Sequence, residues 1–510
     1  MGIRQFRPIL IFIAIVLALI GLGYAWLGPV RATSAVLSGL TLAALYFLLG
    51  AGLSLIFGLM DVLNFAHGII FMMGAYIGYS LFGNPRLFTN TLPLLLMLTA
   101  GAILGRWWGR SLRVWEARRR LTSDLPFWQM ILVRLSPSML LAVISVAVAL
   151  WGVRGFPLKP LIMFEPTATG GAIPTAQAQE PIARMGTRLA FMALAGLLLG
   201  PALLTGKQTR ERGSLWRPLT DALSLTVAAV LLLMVRDPIE HCMLGLSVDI
   251  RFLLALLAGA TIGALLGILV ETVFIRPFYG RPVTQLVLTL GLMFIGAELV
   301  KSIWGKEGRP PMTMPSLFAQ NCRSANLIVW LSEHCSSVNV LGRAFPTYRL
   351  FIILVGVLIF IGVWLLLRYS RTGMIVRAGV QDHAMVEALG INVRRIFTAI
   401  FALGSALAAL GGVVAAPFVG VYPEMGGVFQ LQAFIAVVIG GMGSYTGTAV
   451  GALILGLARA LGDVLVTSGI PLPWTEQALR ASPAIARAST VLIMAIVLLV
   501  RPAGIFGRRE

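Results

Sequence analysis

Charged residues are scarce in this sequence, and cysteine and histidine are scarcer still. Of the 510 residues only 12% are Asp, Glu, Lys or Arg, whereas 58% are hydrophobic, and the mean hydropathy is +0.90. Soluble globular proteins contain roughly 25% charged residues. This composition therefore excludes an ordinary soluble protein and indicates a membrane protein. With three cysteines in the chain, a disulfide-rich scaffold is excluded as well.

Sequence motifs of catalysis are also absent. Gly206-Lys207 and Gly305-Lys306 lack the flanking residues of a Walker A motif, and no Gly-x-Ser-x-Gly segment offers a nucleophile elbow. The four histidines show no metal-binding spacing. We therefore expect no enzyme activity, no metal site and no cofactor bound by this chain.

The positive charge is present in excess and is unevenly distributed. Lys and Arg number 40 against 20 Asp and Glu, a formal net charge of +20. Basic residues concentrate in every second predicted loop, namely residues 106–120, 206–217, 276–281 and 368–395. Cytoplasmic loops of membrane proteins carry this bias, so the pattern indicates topology rather than nucleic-acid binding. It predicts that both termini are cytoplasmic and that loops 154–188, 236–251 and 306–349 lie outside.

Uncharged apolar stretches long enough to cross a bilayer recur along the chain. They predict an all-α polytopic membrane protein with a bundle of about 12–14 transmembrane helices. The stretch at residues 9–27 is interpreted as a retained anchor, the alternative being a cleaved signal peptide. Near Leu431–Ser444 the chain must reverse, which favours a re-entrant segment that turns at Gly440, Gly441 and Gly443.

Polar residues at membrane depth are costly and are therefore candidates for a solute path. Asn64, His67 and Gly68 lie between the second and third predicted spans, at their inner junction. They form either a helix break that lines the path or a polar turn in interfacial water. Gln285 and Gln430 are further candidates, with hydrogen bonds between helices as the alternative. Glu271, close to Arg276, is most simply explained by snorkelling toward lipid headgroups.

Two cysteines share one predicted outside loop. A bridge between Cys322 and Cys335 would shorten an otherwise long loop in an oxidising periplasm, whereas free thiols remain the alternative.

The loop of residues 368–395, called the coupling loop below, is long, basic and patterned for a short helix. Ala384, Ala388 and Ile391 can share one helix face, and Gly390 suits the position after a helix C-terminus. Such a helix could insert into a groove of a soluble partner, or it could lie on lipid headgroups.

Several separate stretches resemble the permease subunits of ABC importers for branched-chain amino acids, a group that includes urea and short-amide permeases. In chain order they are Gly52–Gly58, Asn64–Gly68, Gly74–Tyr76, Arg281–Pro282, Thr289–Leu292, Arg377–Ala378, Asp382, Glu387–Ile391, Gly440–Ser444, Gly447 and Arg501–Arg509.

This resemblance implies that the coupling loop docks on an ATPase through Arg377, Asp382, Glu387, Ala388 and Gly390. It implies partners as well: a homologous second permease, two cytoplasmic ATP-binding subunits that use the ATP, and a periplasmic solute-binding protein. The chain would then lie in a bacterial inner membrane. The expected function is translocation of branched-chain amino acids, with urea or short amides as alternative substrates and an ATP-independent secondary transporter or channel as another class.

The resemblance leaves a large internal part of the chain unmatched. The predicted organisation is an N-terminal anchor helix at residues 1–34, a first part of the permease core at 35–82, an inserted helical region at 83–251 and a second part of the core at 252–510.

Overall fold

The computed structural model describes residues 7–60, 63–83, 86–120, 137–154, 182–201, 216–340, 342–371, 373–375, 378, 385–386, 390, 392–468, 490–492, 494–495, 497, 499, 501 and 504–506. Helices dominate these residues. They are α1 Arg7–Met60, α2 His67–Gly83, α3 Arg86–Arg120, α4 Pro137–Gly152, α5 Ile182–Leu199, α6 Trp216–Met234, α7 Arg236–Gly245, α8 Val248–Leu269, α9 Pro282–Trp304, α10 Leu327–Glu333, α11 Thr347–Tyr369, α12 Val393–Val419, α13 Met425–Gly440 and α14 Tyr445–Ser468. A π-helical turn, Val270–Ile275, and a 3-10 turn, Arg276–Phe278, extend α8.

Eight helices of the described residues are long and apolar enough to cross a membrane. These segments are Gly28–Gly58, Thr89–Gly109, Trp216–Met234, Val248–Phe278, Pro282–Trp304, Thr347–Tyr369, Val393–Val419 and Tyr445–Val464. The predicted all-α polytopic membrane protein is confirmed. Shorter apolar helices accompany these eight, among them α13, whose 16 residues extend about 24 Å. Because the hydrocarbon core is about 30 Å thick, re-entrance of α13 remains a prediction.

The predicted anchor and the following span form one continuous helix. Within α1 the helical geometry is interrupted at Gly28, whose φ of 73° precedes Pro29. Proline removes a backbone donor and kinks a helix. The two predicted spans therefore meet at a kink rather than at a loop.

The chain divides into two compact units. One contains Met1–Tyr79 with Ser247–Glu510, and the other contains Ser80–Leu246. In the second unit α3 packs against α5 and α6, and α4 packs against α5. Buried Arg188 of α5 donates to the carbonyl oxygens of Gly152 and Arg154 at 2.7 and 3.1 Å, which satisfies backbone groups at the end of α4.

A small lobe that the sequence does not predict lies between α9 and α11. Its strands are β1 Gln320–Ser324, β2 Cys335–Val340 and β3 Arg343–Pro346, with β2 parallel to β1 and antiparallel to β3. Cys322 and Cys335 form a disulfide that links β1 to β2. The loop is therefore a structured element of the protein.

Candidate translocation path and coupling region

The helix break between α1 and α2 is buried among other helices. Asn64 is 1% exposed and His67 is fully buried. The side-chain oxygen of Asn64 accepts a hydrogen bond from the backbone N–H of Ala66 at 3.0 Å. The backbone carbonyl oxygen of Asn64 accepts one from the N–H of His67 at 3.3 Å. Asn64 thus satisfies donors at the start of α2, which is where an asparagine side chain replaces the missing helical partner.

The start of α2 packs beside the interior of α1 and α12. Nε2 of His67 lies beside Gly52, and the backbone of Gly52 touches that of Gly404 in α12. Gly52 is eight residues before Met60, the end of α1, or about 12 Å along the helix. Gly404 is eleven residues after the start of α12, or about 17 Å. The start of α2 therefore lies among these helices rather than beside the end of α1.

Helix α13 completes this region. Gly68 meets Gly426 at a close backbone approach, and the Cβ of Gln430 also lies against Gly68. The Gln430 amide donates to the carbonyl oxygen of Asn64 at 3.4 Å. Four of the five predicted path residues, Asn64, His67, Gly68 and Gln430, are therefore brought together.

Several polar atoms in this region are buried and have no hydrogen-bond partner among the described residues. They are Nδ2 of Asn64, both ring nitrogens of His67, Oε1 of Gln430 and the hydroxyls of Ser54 and Ser405. Buried polar groups are normally hydrogen-bonded. Within a membrane bundle, such groups indicate a path for polar species.

Gln285, the fifth predicted path residue, lies apart from the helix break. Its side chain is buried and donates to the carbonyl oxygen of Phe278, just before α9 begins, at 3.0 Å. One turn further along α9, the buried Thr289 hydroxyl lies 3.4 Å from the carbonyl oxygen of Leu63. Thr289, rather than Gln285, therefore contacts the helix break.

The interpretation of Glu271 as a snorkelling side chain is wrong. Its carboxylate is fully buried and pairs with both Nε and Nη2 of Arg276, at 3.1 and 2.9 Å. It also accepts from the Tyr279 hydroxyl at 2.6 Å and the Thr398 hydroxyl at 2.9 Å. Burial, together with the hydrogen bond to Glu271, raises the pKa of the Tyr279 phenol, so the hydroxyl keeps its proton and donates. We call Glu271, Arg276, Tyr279 and Thr398 the Glu271 cluster.

Only part of the coupling loop belongs to the described residues. Arg377, Asp382, Glu387 and Ala388 lie outside them. Gly390 lies in a turn with a φ of 78°, a left-handed conformation that glycine adopts at little cost. Two residues later the Asn392 side chain accepts from the N–H of Arg395 and so caps α12. The coupling loop therefore leads directly into a capped helix.

The predicted turn separates α13 from α14. Gly441 and Gly443 have φ values of 106° and 78°, whereas Gly440 is the last residue of α13 and packs against the backbone of Gly447. The C-terminal segment returns to this end: the N–H groups of Ile505 and Phe506 donate to the carbonyl oxygens of Ile439 and Gly440, both at 2.9 Å. These bonds satisfy carbonyl groups at the end of a buried helix.

Comparison with known proteins shows that this chain is similar to permease components of transport systems. A family model described as "Branched-chain amino acid transport system / permease component" matches residues 219–500. LivH of Salmonella typhimurium, a high-affinity branched-chain amino acid transport system permease protein, is 32% identical over 271 residues, which cover 52% of this chain and 78% of LivH. BraD of Pseudomonas aeruginosa, with the same description, is 30% identical over 272 residues, covering 52% of this chain and 79% of BraD.

A permease for a different solute is also similar. The ribose import permease protein RbsC of Escherichia coli K12 is 29% identical over 247 residues, which cover 47% of this chain and 68% of RbsC. No solved structure matches significantly. The matched residues of the family model begin at 219, inside the unit of residues 80–246, so the boundary of the insertion at 83–251 stays a prediction.

Proposed function

Because this chain belongs to the family of permease components of branched-chain amino acid transport systems, we propose that it translocates branched-chain amino acids and forms half of a transmembrane pathway. A homologous second permease provides the other half. Two cytoplasmic ATP-binding subunits use the ATP, and one of them docks on the coupling loop of this chain. A periplasmic solute-binding protein delivers the solute. The chain crosses a bacterial inner membrane with both termini inside, which is consistent with its basic alternate loops.

The buried helix break supports this proposal more than any other observation. Helix α2 begins here and α13 passes beside it. Within the described part of the chain, Nδ2 of Asn64, both ring nitrogens of His67 and Oε1 of Gln430 are buried here without a hydrogen-bond partner. Transporters commonly bind solutes where a helix is interrupted near the middle of the membrane. These atoms can hydrogen-bond to the polar groups of an amino acid during its passage.

In an alternating-access mechanism, the helix break opens toward one side of the membrane at a time. ATP binding and hydrolysis in the partner subunits move the coupling loop, and α12, which begins three residues after Gly390 and one after Asn392, moves with it. Since α12 touches α1 at Gly404 and Gly52 beside His67, this motion reaches the break and opens it toward one side of the membrane or the other.

Reconstitution tests the proposal. Liposomes that contain this chain, its second permease and both ATP-binding subunits are supplied with the solute-binding protein and radiolabelled leucine. We expect uptake that requires ATP on the side of the ATP-binding subunits. Replacing His67 by Ala should reduce the uptake rate by roughly tenfold, the effect of about 1.4 kcal/mol, whereas His241→Ala, at an exposed position of α7, should leave it unchanged.

Further arms of this experiment separate the alternatives. Uptake by this chain alone along an ion gradient would instead support a secondary transporter. Stronger competition by urea or acetamide than by leucine would change the substrate assignment but not the transport class. Substitution of Glu387 by Lys should abolish solute-stimulated ATPase activity while the complex still assembles; normal stimulation would contradict docking through the coupling loop.

A further inference from the structure

The Glu271 cluster joins two helices that are distant in sequence. Thr398 is 127 residues from Glu271 along the chain, yet its hydroxyl lies 2.9 Å from Glu271 Oε2 and 2.6 Å from Arg276 Nη2. The aromatic ring of Phe397 packs edge-on against Tyr279, with centroids 5.9 Å apart. The first turns of α12 are therefore fixed to the end of α8 by charge-assisted hydrogen bonds, which are stronger than neutral ones.

A local change of helix type makes this cluster possible. Val270–Ile275 is a π-helical turn, in which the N–H of Arg276 bonds to the carbonyl oxygen of Glu271. This wider turn brings side chains five residues apart onto one face, so that Arg276 can donate two hydrogen bonds to the Glu271 carboxylate. In a regular α-helix the two side chains would diverge. Single π turns within α-helices occur frequently at functional sites.

Helices α8 and α12 also pack closely over the three turns beside the cluster. Gly259, Gly263 and Gly267 of α8 are buried at intervals of four residues, and they face Val413, Ala409 and Ser405 of α12 in turn. A methyl group on Gly263 would lie 2.3 Å from the Cβ of Ala409. Small residues at such spacing allow close helix packing in membranes. The two helices therefore form one tightly packed pair.

A chain of contacts continues from the Glu271 cluster to the helix break. Gln285 bonds to Phe278, one residue before Tyr279, and Thr289 lies on the same helix beside Leu63. An apolar cluster of Ile275, Phe401 and Ile56 connects the same region to the last turns of α1. The first route ends next to Asn64. The second ends at Ile56, one turn after Gly52 in α1.

From these contacts we propose that the Glu271 cluster positions the α8–α12 pair so that movement of the coupling loop reaches the helix break. This inference rests on the proposed function. Glu271 and Thr398 act here as positioning residues, because they act through α8 and α12 on the path and have no need to touch the solute. Without the cluster, movement at the start of α12 is absorbed locally and hydrolysis no longer drives opening.

The Thr398 hydroxyl gives the sharpest test, since it can be removed at nearly constant shape. In the reconstituted complex, Thr398→Val removes the hydroxyl's hydrogen bonds to Glu271 and Arg276. It should lower the maximal solute-stimulated ATPase rate and the uptake rate by roughly tenfold or more, as expected for the loss of charge-assisted hydrogen bonds. The leucine concentration at half-maximal stimulation and the basal ATPase rate should stay unchanged. Thr398→Ser, which restores the hydroxyl, should recover most of the stimulation.

Glu271→Gln should reduce coupling at least as strongly, and combining it with Thr398→Val should add little, because both changes break the same network. The matched control is Glu298→Gln on α9, where an exposed carboxylate pairs with Lys301 three residues away. This variant should show the same solute-stimulated ATPase activity as the wild type.

The outcomes separate this inference from the proposed function. If the wild-type complex shows no solute-stimulated ATPase activity, the proposed function itself fails. If the wild type is stimulated and Thr398→Val is stimulated equally, the role of the Glu271 cluster is overturned. A loss that Thr398→Ser does not recover also overturns it. If the complex with Glu271→Gln does not assemble, the comparison of Thr398→Val with Thr398→Ser tests the inference without it.

Discussion

At the scale of single residues, the contact between Gly52 and His67 leads to a direct prediction. A methyl group at position 52 would lie 2.3 Å from the carbonyl oxygen of Gly404 and 2.5 Å from Nε2 of His67. Since overpacking of a tight interface costs roughly 1–3 kcal/mol, Gly52→Ala should lower the thermal unfolding temperature in detergent by several degrees. Uptake should fall too.

A matched glycine provides the control for this substitution. Gly362 lies in the middle of α11, and a methyl group there would meet nothing within 4 Å. Gly362→Ala should therefore leave the unfolding temperature and uptake close to those of the wild type. Equal behaviour of the two variants would contradict the close approach of α1, α2 and α12.

Individual residues also show where sequence reasoning stops. The pairing of Asn64 with Gln430 joins positions 366 residues apart, although the sequence already marks both as polar groups at membrane depth. The pairing of Glu271 is not predictable in the same way, because its partner Thr398 is 127 residues away and because the five-residue spacing to Arg276 suits a π turn rather than an α-helix. The carboxylate alone does indicate that Glu271 has a specific partner, since a charge within a span is costly without one.

At the scale of elements, the C-terminal segment is a cap for α13. The N–H groups of Ile505 and Phe506 satisfy the carbonyl oxygens of Ile439 and Gly440. Gly504, with a φ of 75°, makes this approach possible, and a methyl group there would lie 2.6 Å from both the Cα of Gly441 and the carbonyl oxygen of Val438. Gly504→Ala should therefore release the cap. We expect amide hydrogen exchange of Ile505 and Phe506 to accelerate by roughly tenfold or more, as for a local opening made easier by about 1.4 kcal/mol.

The control for the cap is on α13 itself. Gly427 is exposed, and a methyl group there would meet nothing within 4 Å. Gly427→Ala should leave exchange at the C-terminal segment as it is in the wild type. Unchanged exchange in Gly504→Ala as well would show that the cap does not hold this segment.

Helices are predictable as elements here because long apolar runs identify them without knowledge of their neighbours. Their ends are less predictable. Gly28 and Pro29 join two predicted spans into one kinked helix, and α2 begins at the level of Gly52 rather than at the level of Met60, the end of α1. Both features depend on which helices pack around them. The lobe between α9 and α11 was missed because its strands contain only four to six residues.

At the scale of the whole molecule, the number of membrane crossings between Cys242 and the coupling loop determines whether the two lie on the same side of the membrane. Three membrane-spanning candidates, α8, α9 and α11, lie between Cys242 and the start of the coupling loop. An odd number of crossings puts the two on opposite faces. If the coupling loop meets ATP-binding subunits in the cytoplasm, Cys242 must face outward, as the charges of the loops independently predict.

Cysteine labelling in intact cells tests this arrangement. The chain has three cysteines, of which Cys322 and Cys335 are joined, so the exposed Cys242 is its one free thiol. A membrane-impermeant maleimide should label the wild type at Cys242 before the inner membrane is permeabilised, and Cys242→Ser should abolish this signal. In the Cys242→Ser background, Arg371→Cys at the exposed start of the coupling loop should be labelled only after permeabilisation. Labelling of both positions from one side would contradict the three crossings, whereas a complete exchange of sides would reverse the orientation and remove the coupling loop from the reach of cytoplasmic subunits.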